Sequence, residues 1–279
     1  MQTRRNLLAS MLVSAASPLL PTVAFGQSLC EVWDKTLVWD VKHSLWGTSG
    51  ASSQGKVVYL IGAPWCPFCR RLVNEYLEGR HNFELRFIPI DVVQRKHREQ
   101  QADIVINKLD GLKRTFVKGD KVPGISPAME KLIHDANFIA QEGLKVRFTM
   151  GKGLVSPTVV YEKTEGTSTI TGYKPLTEFA SSIRPMKDPG KDLSTDLEQL
   201  LAQEKQIAPG RMANLRRKTA IHALPNDASA SVGCVASRSL KAIAECNMNG
   251  QDWLKVEALV SLEHEPIYGY IALQDAALS

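Results

Sequence analysis

The segment that decides the fold reads Trp65-Cys66-Pro67-Phe68-Cys69, and it directly follows the apolar run 57–61. That run is rich in β-branched residues, which predicts a strand. Pro67 suits the first position of a helix because its missing N–H would have no partner there. Cys66 then lies at a helix N-terminus, where the helix dipole favours the thiolate that attacks disulfides. The spacing therefore predicts a redox dithiol at a strand-to-helix junction.

Half of a zinc site is the other interpretation of a Cys-x-x-Cys segment. The sequence has no second Cys-x-x-Cys, and none of its six histidines pairs with cysteines at ligand spacing. Redox chemistry is therefore favoured, and we expect no metal and no cofactor.

The N-terminus has the composition of an export signal. Arg4 and Arg5 precede a short apolar region at 7–20, and small residues follow at Ala24 and Gly26. We expect residues 1–26 to be a cleaved signal peptide, which predicts a periplasmic protein. Paired arginines are typical of twin-arginine signals but also occur in general secretory signals, so both export routes stay open.

The net charge excludes one class of partner. Of 34 basic residues against 29 acidic ones, processing removes Arg4 and Arg5, and the net charge falls from +5 to +3. This balance is too mild to indicate nucleic acid binding. The basic cluster 211–218 is interpreted as the solvated face of a helix.

Three cysteines lie outside the dithiol: Cys30, Cys234 and Cys246. In an oxidising compartment we expect Cys234 and Cys246 to form a structural disulfide, because they are close in sequence and far from the dithiol. Cys30 is then left over, either free and buried or joining two chains. The oligomeric state is not decided by this pattern.

The remaining hydrophobic patterns predict alternating helices and strands. Residues 27–55 predict a helical segment that ends in a Gly/Ser loop at 47–55. The following segments predict the dithiol helix to about Gly79, a strand at 83–91, a helical block at 95–142, strands at 156–161 and 168–172, and a closing helix at 176–183. Beyond a boundary at 188–190 they predict helices at 192–206 and around 236–246, and strands at 253–262 and 267–273.

This order resembles the thioredoxin fold, and a second motif narrows the resemblance. Residues 153–160, with Gly172-Tyr173-Lys174-Pro175 after them, resemble the catalytic domain of the bacterial periplasmic disulfide isomerases, the DsbC/DsbG group. The resemblance covers about residues 56–186. It implies an α/β protein: a thioredoxin-like catalytic domain with a helical insertion at 56–186, followed by a smaller α+β accessory domain at 187–279.

The resemblance also implies roles for particular residues. Cys66 would attack substrate disulfides and Cys69 would resolve the mixed disulfide. Pro67 and Phe68 would tune the first thiol and Trp65 would shield it. Ser156 and a cis Pro157 would form the edge on which the substrate chain docks. The implied partners are exported proteins with cysteines and a membrane thiol-reductase that supplies electrons.

Four departures leave the direction of electron flow open. Ser156 stands where the isomerases usually carry threonine, and Leu60 stands where thioredoxins place a buried acid. The N-terminal dimerisation domain of the isomerases is absent, and about ninety C-terminal residues are added. The leading hypothesis is an enzyme that reduces or isomerises disulfides in exported proteins. The alternatives are a dithiol oxidase and a thioredoxin-fold binding or assembly scaffold.

Overall fold

The computed structural model describes residues 41–50, 54–79, 81–90, 97–119, 124–148, 155–235, 238–260 and 266–279. The predicted signal peptide, Cys30 and most of the predicted helical segment at 28–46 lie outside these ranges. At the end of that segment Val41, Leu45 and Trp46 are buried.

The first sheet has five strands and holds the predicted junction. Its strands are β1 (Gly47–Thr48), β2 (Val57–Gly62), β3 (Glu84–Pro89), β4 (Thr158–Lys163) and β5 (Gly166–Thr171), in the order β1-β3-β2-β4-β5. The central strands β2 and β3 are parallel, and every residue in them is buried. A strand covered on both faces needs a continuous apolar run, which is why the run at 57–61 was readable in the sequence.

The predicted loop at 47–55 is wrong at its start, because Gly47 and Thr48 pair with β3. A Cβ added at Gly47 would lie 2.3 Å from the backbone oxygen of Ile104. Glycine therefore serves close packing of a strand against a helix here rather than a flexible turn.

Within the described residues, this half of the chain includes the helices α1 (Pro67–Glu78), α2 (Arg98–Lys113) and α3 (Pro127–Phe148). The last two form the predicted helical block, and a π-helical turn at Arg114–Lys118 follows α2. The predicted closing helix at 176–183 is wrong. Two short 3-10 turns, Leu176–Glu178 and Ala180–Ser182, take its place because Phe179 between them has a φ of −130°, outside the helical range.

The C-terminal part forms a second sheet, which is antiparallel. A short helix, α4 (Leu197–Gln203), replaces the longer helix predicted at 192–206 and precedes the sheet. The strands are β6 (Lys205–Gln206), β7 (Met212–Leu215), β8 (Thr219–His222), β9 (Ser231–Val235), β10 (Ser239–Met248), β11 (Gln251–Val260), β12 (Pro266–Ala272) and β13 (Ala276–Leu278). Their order is β13-β7-β10-β11-β12-β8-β9, with β6 paired to β10.

Strands β11 and β12 confirm the strands predicted at 253–262 and 267–273. The helix predicted around 236–246 is wrong, because β10 occupies Ser239–Met248 and buries alternate residues from Leu240 to Met248. A period of two is the signature of a strand. The basic cluster at 211–218 likewise lies on β7 and the turn after it, not on a helix.

The second sheet shares its core with the helical block. Ile133, Ala136 and Ile139 of α3 belong to the same hydrophobic cluster as Trp253 and Tyr270 of the sheet. The predicted domain boundary at residue 187 stays a prediction. Residues of α3, which precede this boundary, pack against the second sheet, which follows it.

The predicted disulfide between Cys234 and Cys246 is wrong in this structure. Cys246 is a free, buried thiol. Cys234 pairs through β9 with Ala220, and Cys246 pairs through β10 with Trp253, so three strands separate β9 from β10 in the sheet order. A disulfide needs Cα atoms within about 7 Å, and neighbouring strands lie about 4.8 Å apart, so it can span one strand spacing but not four.

Candidate functional site

Cys66 lies at the predicted junction. Strand β2 ends at Gly62, the backbone turns through a bond from Cys66 N to Ala63 O (3.0 Å), and Cys66 caps the start of α1. Its Sγ accepts a hydrogen bond from the backbone N–H of Cys69 at 3.4 Å. Pro67 occupies the start of the helix, as the sequence predicted. One sulfur therefore receives an N–H that would otherwise lack a partner at the helix N-terminus.

Cys69 lies one turn later on the buried face of α1. Its side chain is fully buried, and a Cβ added at Gly62 would lie 2.4 Å from its Sγ. Gly62 is thus a residue of the site that motif reasoning missed. The signal was present in the sequence, since a glycine ends an otherwise apolar strand directly before the dithiol.

The loop before β4 faces both thiols. The Ser156–Pro157 peptide is cis, as the resemblance implied. Ser156 Oγ accepts from the N–H of Ala63 at 3.2 Å and lies 3.2 Å from Cys69 Sγ. The backbone carbonyl of Ser156 accepts from Cys66 Sγ at 3.6 Å. One residue, about 90 positions away in sequence, therefore contacts both sulfur atoms.

These contacts give the two thiols different acidities. Burial raises the pKa of Cys66, but hydrogen bonds with Ser156 and with the backbone of Cys69 and Phe68 outweigh it, and the pKa lies below its ordinary value. Burial raises the pKa of Cys69 to about 12, against a smaller lowering by Ser156. Two titratable groups whose pKa values are driven apart take separate roles. Cys66 can attack as a thiolate, and Cys69 holds its proton until a later step.

Leu60, which stands at the position where thioredoxins place a buried acid, is itself buried in β2. The polar group in contact with Cys69 is the Ser156 hydroxyl instead. Sequence reasoning gave Ser156 only a docking role, because no local pattern shows a contact between residues 87 positions apart.

Exposed apolar side chains surround the thiols. Of the four large apolar residues that are exposed in the described ranges, three lie on the segments that carry the site: Trp65 (43%), Phe68 (52%) and Val155 (50%). Exposed apolar clusters of this kind mark surfaces that bind other molecules. The predicted substrate-binding residues Trp65, Phe68, Ser156 and Pro157 are thus brought together around Cys66.

The described residues contain no group of three or more His, Cys, Asp or Glu side chains placed to hold a metal ion. Among the helices in those same ranges, none is long and apolar enough to span a membrane.

No family model and no curated protein matches the chain. Among solved structures, it is similar to a disulfide interchange protein from Neisseria gonorrhoeae, with 17% sequence identity and a TM-score of 0.34. The match covers 53% of this chain and 97% of that one. A likeness at this level establishes neither family nor activity, so function is inferred below from the geometry of the site.

Proposed function

We propose that the protein is a thiol:disulfide oxidoreductase that acts through Cys66 and Cys69. The observation that carries the proposal is the different environment of the two sulfur atoms: Cys66 Sγ receives the N–H of Cys69 at the helix start, while Cys69 Sγ is buried against Ser156 Oγ. A low-pKa attacking thiol with a buried partner is the arrangement that thiol–disulfide exchange requires.

The reaction proceeds in two exchanges. The Cys66 thiolate attacks one sulfur of a substrate disulfide, which forms a Cys66–substrate disulfide and releases the other substrate sulfur as a thiolate. Cys69 then loses its proton and attacks Cys66 Sγ, which forms the Cys66–Cys69 disulfide and releases the second substrate thiolate. Two electrons pass to the substrate. If another thiolate of the substrate instead attacks the substrate sulfur of the mixed disulfide, a new substrate disulfide forms and Cys66 leaves as a thiolate, with no net electron transfer.

Ser156 supports the second exchange. Its Oγ already accepts the N–H of Ala63, and its hydroxyl proton is free to be donated to Cys69 Sγ when that sulfur becomes a thiolate. A donated hydrogen bond to the charged form lowers a pKa. The Ser156 hydroxyl thus favours the Cys69 thiolate by donating a hydrogen bond. Position 60 is a leucine and supplies no carboxylate that could help Cys69 to lose its proton.

The exposed side chains of the site and the export signal that the sequence predicts support a proposal for the substrate class. Trp65, Phe68 and Val155 offer apolar contacts beside Cys66, and the cis-proline loop offers a backbone edge to an extended chain. We therefore propose exported proteins with cysteines as substrates, in the periplasm, in the manner of the DsbC/DsbG group. Regeneration of the dithiol requires an external thiol reductant, for which a membrane thiol-reductase is the proposed source.

One observation favours a second direction of electron flow. The lowered pKa of Cys66 stabilises the reduced enzyme, and a stabilised dithiol makes the corresponding disulfide more oxidising. The reduction potential separates the two functions. A potential near that of thioredoxin, about −270 mV, supports a reductase, one near that of protein disulfide isomerase, about −180 mV, supports an isomerase, and one near −120 mV supports a dithiol oxidase.

Trapping with Cys69→Ala tests the proposal. This variant keeps the attacking thiol but cannot resolve the mixed disulfide, so we expect substrate chains to accumulate on Cys66. The matched control is the double variant Cys66→Ala, Cys69→Ala, which retains Cys30, Cys234 and Cys246 and should trap nothing. Equal trapping by the double variant, or none by Cys69→Ala, would overturn the proposal and favour the scaffold hypothesis.

A further inference from the structure

A short segment after β5 contacts both halves of the site. Gly172 N donates to the carbonyl of the cis residue Pro157 at 2.8 Å. The next residue, Tyr173, donates its hydroxyl to Oε1 of Glu75 on α1. Leu176 N donates to Oε2 of the same carboxylate at 3.2 Å. The chain therefore passes from the proline loop to the dithiol helix within two residues.

The ring of Tyr173 extends this contact towards the thiols. Phe68, Arg71 and Glu75 share one stripe of α1, because they are spaced three and four residues apart. The Tyr173 ring centroid lies 6.0 Å from that of Phe68, and the guanidinium carbon of Arg71 lies 4.4 Å from the Tyr173 centroid. Arg71 Nε also pairs with Glu75 Oε1 at 3.3 Å, but its side chain is 63% exposed, so this ion pair alone is weak.

The hydrogen-bonded pairing of β2 with β4 ends before it reaches the Ser156–Pro157 loop or the first turn of α1. The last pair between β2 and β4 is Ile61 with Thr158. Ser156 lies two residues before that pair, and Cys66 lies five residues after it. Because the strands end before either one, contacts outside the ladder hold the first turn of α1 against the loop, and the bond from Ala63 N–H to Ser156 Oγ is one of them.

We propose that Tyr173 and Glu75 are positioning residues, which hold the first turn of α1 at a fixed distance from the Ser156–Pro157 loop. This inference rests on the proposed function, since it assigns them to the same dithiol site. Among the described residues, neither side chain forms a hydrogen bond with a sulfur atom. They act through the Ser156 side chain, which lies 3.2 Å from Cys69 Sγ and whose hydrogen bonding lowers the pKa of Cys66; such bonds weaken steeply when distance or angle changes.

The charges at the contact suit this role. Burial raises the pKa of Glu75, but hydrogen bonds from Tyr173, Leu176 N and Arg71 outweigh it, and the pKa lies below its ordinary value. Burial and the bond to Glu75 raise the pKa of Tyr173. At neutral pH a carboxylate therefore faces a protonated phenol, and hydrogen bonds to an ionised acceptor are the stronger kind.

Tyr173→Phe tests the inference, with Tyr76→Phe as the matched control. Both variants remove one phenol hydroxyl. Tyr76 lies further along α1, and its hydroxyl contacts Phe83 O and Ser49 Oγ, away from the thiols. Because a typical hydrogen bond is worth less than a full pKa unit, we expect Tyr173→Phe to raise the apparent pKa of Cys66 by about half a unit, and Tyr76→Phe to leave it unchanged.

The readout is the pH dependence of Cys66 alkylation in the full reduced chain, which needs no substrate. Equal titration curves for Tyr173→Phe and the unaltered protein would overturn the inference, as would equal shifts in both variants. Failure of the proposed function looks different: the unaltered protein would show no disulfide exchange, whatever the two tyrosine variants do to the titration.

Substitution of Glu75 is a second test of the positioning role. We expect Glu75→Ala to shift the titration at least as far as Tyr173→Phe, because it loses the bonds to both Tyr173 and Leu176. The double variant should shift no further than Glu75→Ala alone, since residues that act through one contact are not additive. Additive shifts would contradict a shared positioning role. Glu75→Gln, which keeps an oxygen acceptor, should recover part of the shift.

Discussion

Cys66 at the start of α1 and Cys246 in the middle of β10 are almost equally buried, at 4% and 5% exposure. Their acidities nevertheless differ in direction. Hydrogen bonds lower the pKa of Cys66 despite its burial, whereas burial, with the nearby Glu204 carboxylate, raises the pKa of Cys246 to about 12. The comparison teaches that burial alone does not decide whether a thiol reacts. For Cys66, the N–H of Cys69 at the helix start and hydrogen bonding with Ser156 lower the pKa despite burial.

The two regions also differ in how they use charge. Beside Cys246, the carboxylate of Glu204 accepts from Lys255 Nζ at 2.8 Å and from the hydroxyl of Tyr270 at 2.6 Å. This pair is largely buried and its donors and acceptors are directed at each other. In the first sheet, the donors around Cys66 are directed at a sulfur atom. The second sheet therefore uses its polar groups for structure, and the site uses them for reactivity.

Removal of each thiol is the strongest test of this contrast. Cys66→Ser should lower the rate of disulfide reduction at least about a thousandfold, because the only low-pKa thiol of the site is lost. Cys246→Ser should leave the rate within twofold or so, although it lowers stability. Release of thiols from a disulfide-bonded test protein measures both. A large loss of activity in Cys246→Ser would break the comparison.

Removal of the Glu204 carboxylate tests the structural role of the second region. Glu204→Ala leaves the largely buried Lys255 without its counter-ion, and we expect the free energy of unfolding to fall by about 3 kcal/mol. Exposed Glu198 on α4 offers the control, since Glu198→Ala should cost less than about 0.5 kcal/mol. Denaturant unfolding measures the difference. Equal stability of the two variants would refute the structural assignment.

Ser156→Ala tests the hydroxyl that faces Cys69. Its loss should raise the pKa of both Cys66 and Cys69, and slow the release of the mixed disulfide by about fivefold, which is the worth of one hydrogen bond. Ser156→Thr retains the hydroxyl and should stay close to the unaltered protein. Single-turnover kinetics of the mixed disulfide measure the step. An unchanged rate in Ser156→Ala would remove the hydroxyl from the mechanism.

The last prediction concerns stability at alkaline pH. The raised pKa of Cys246 means that the folded protein keeps a proton which the unfolded chain loses above its ordinary pKa. The contribution of Cys246 to the free energy of unfolding is complete below about pH 8.5 and is lost as the pH rises towards 12. The lowered pKa of Cys66 has the opposite effect on stability. Its contribution to the free energy of unfolding is present above the ordinary thiol pKa and is lost as the pH falls through the lowered pKa.

Cys246→Ala should therefore show a shallower loss of stability between pH 9 and 11 than the unaltered reduced protein. The slope with pH is the quantity compared, because the substitution also leaves a cavity. Equal slopes would indicate that Cys246 titrates normally in the folded state.

The dithiol site could be predicted from the sequence because the residues that indicate it lie close together in the chain. The apolar strand, the proline at the helix start and the spacing of Cys66 and Cys69 are all encoded within about fifteen residues. Long-range order was not readable. The partners of Cys69 and Glu75 lie 87 and 98 residues away, and only the fold brings Ser156 and Tyr173 to them.

The second sheet shows the same limit. Strand β10 was predicted as a helix because it carries alanines and other residues that also suit helices, and its period of two became visible only from burial. The predicted pairing of Cys234 with Cys246 failed because closeness in sequence says nothing about strand order.

The most direct test of the central claim follows the alkylation of Cys66 and Cys246 together, in one reduced sample, across a range of pH. Mass spectrometry of the peptides assigns a rate to each thiol. The account predicts that Cys66 reacts with a midpoint below the ordinary thiol pKa of about 8.5, and that Cys246 stays unreactive until the protein unfolds. A common midpoint for both thiols, or a midpoint for Cys66 above the ordinary value, would contradict it.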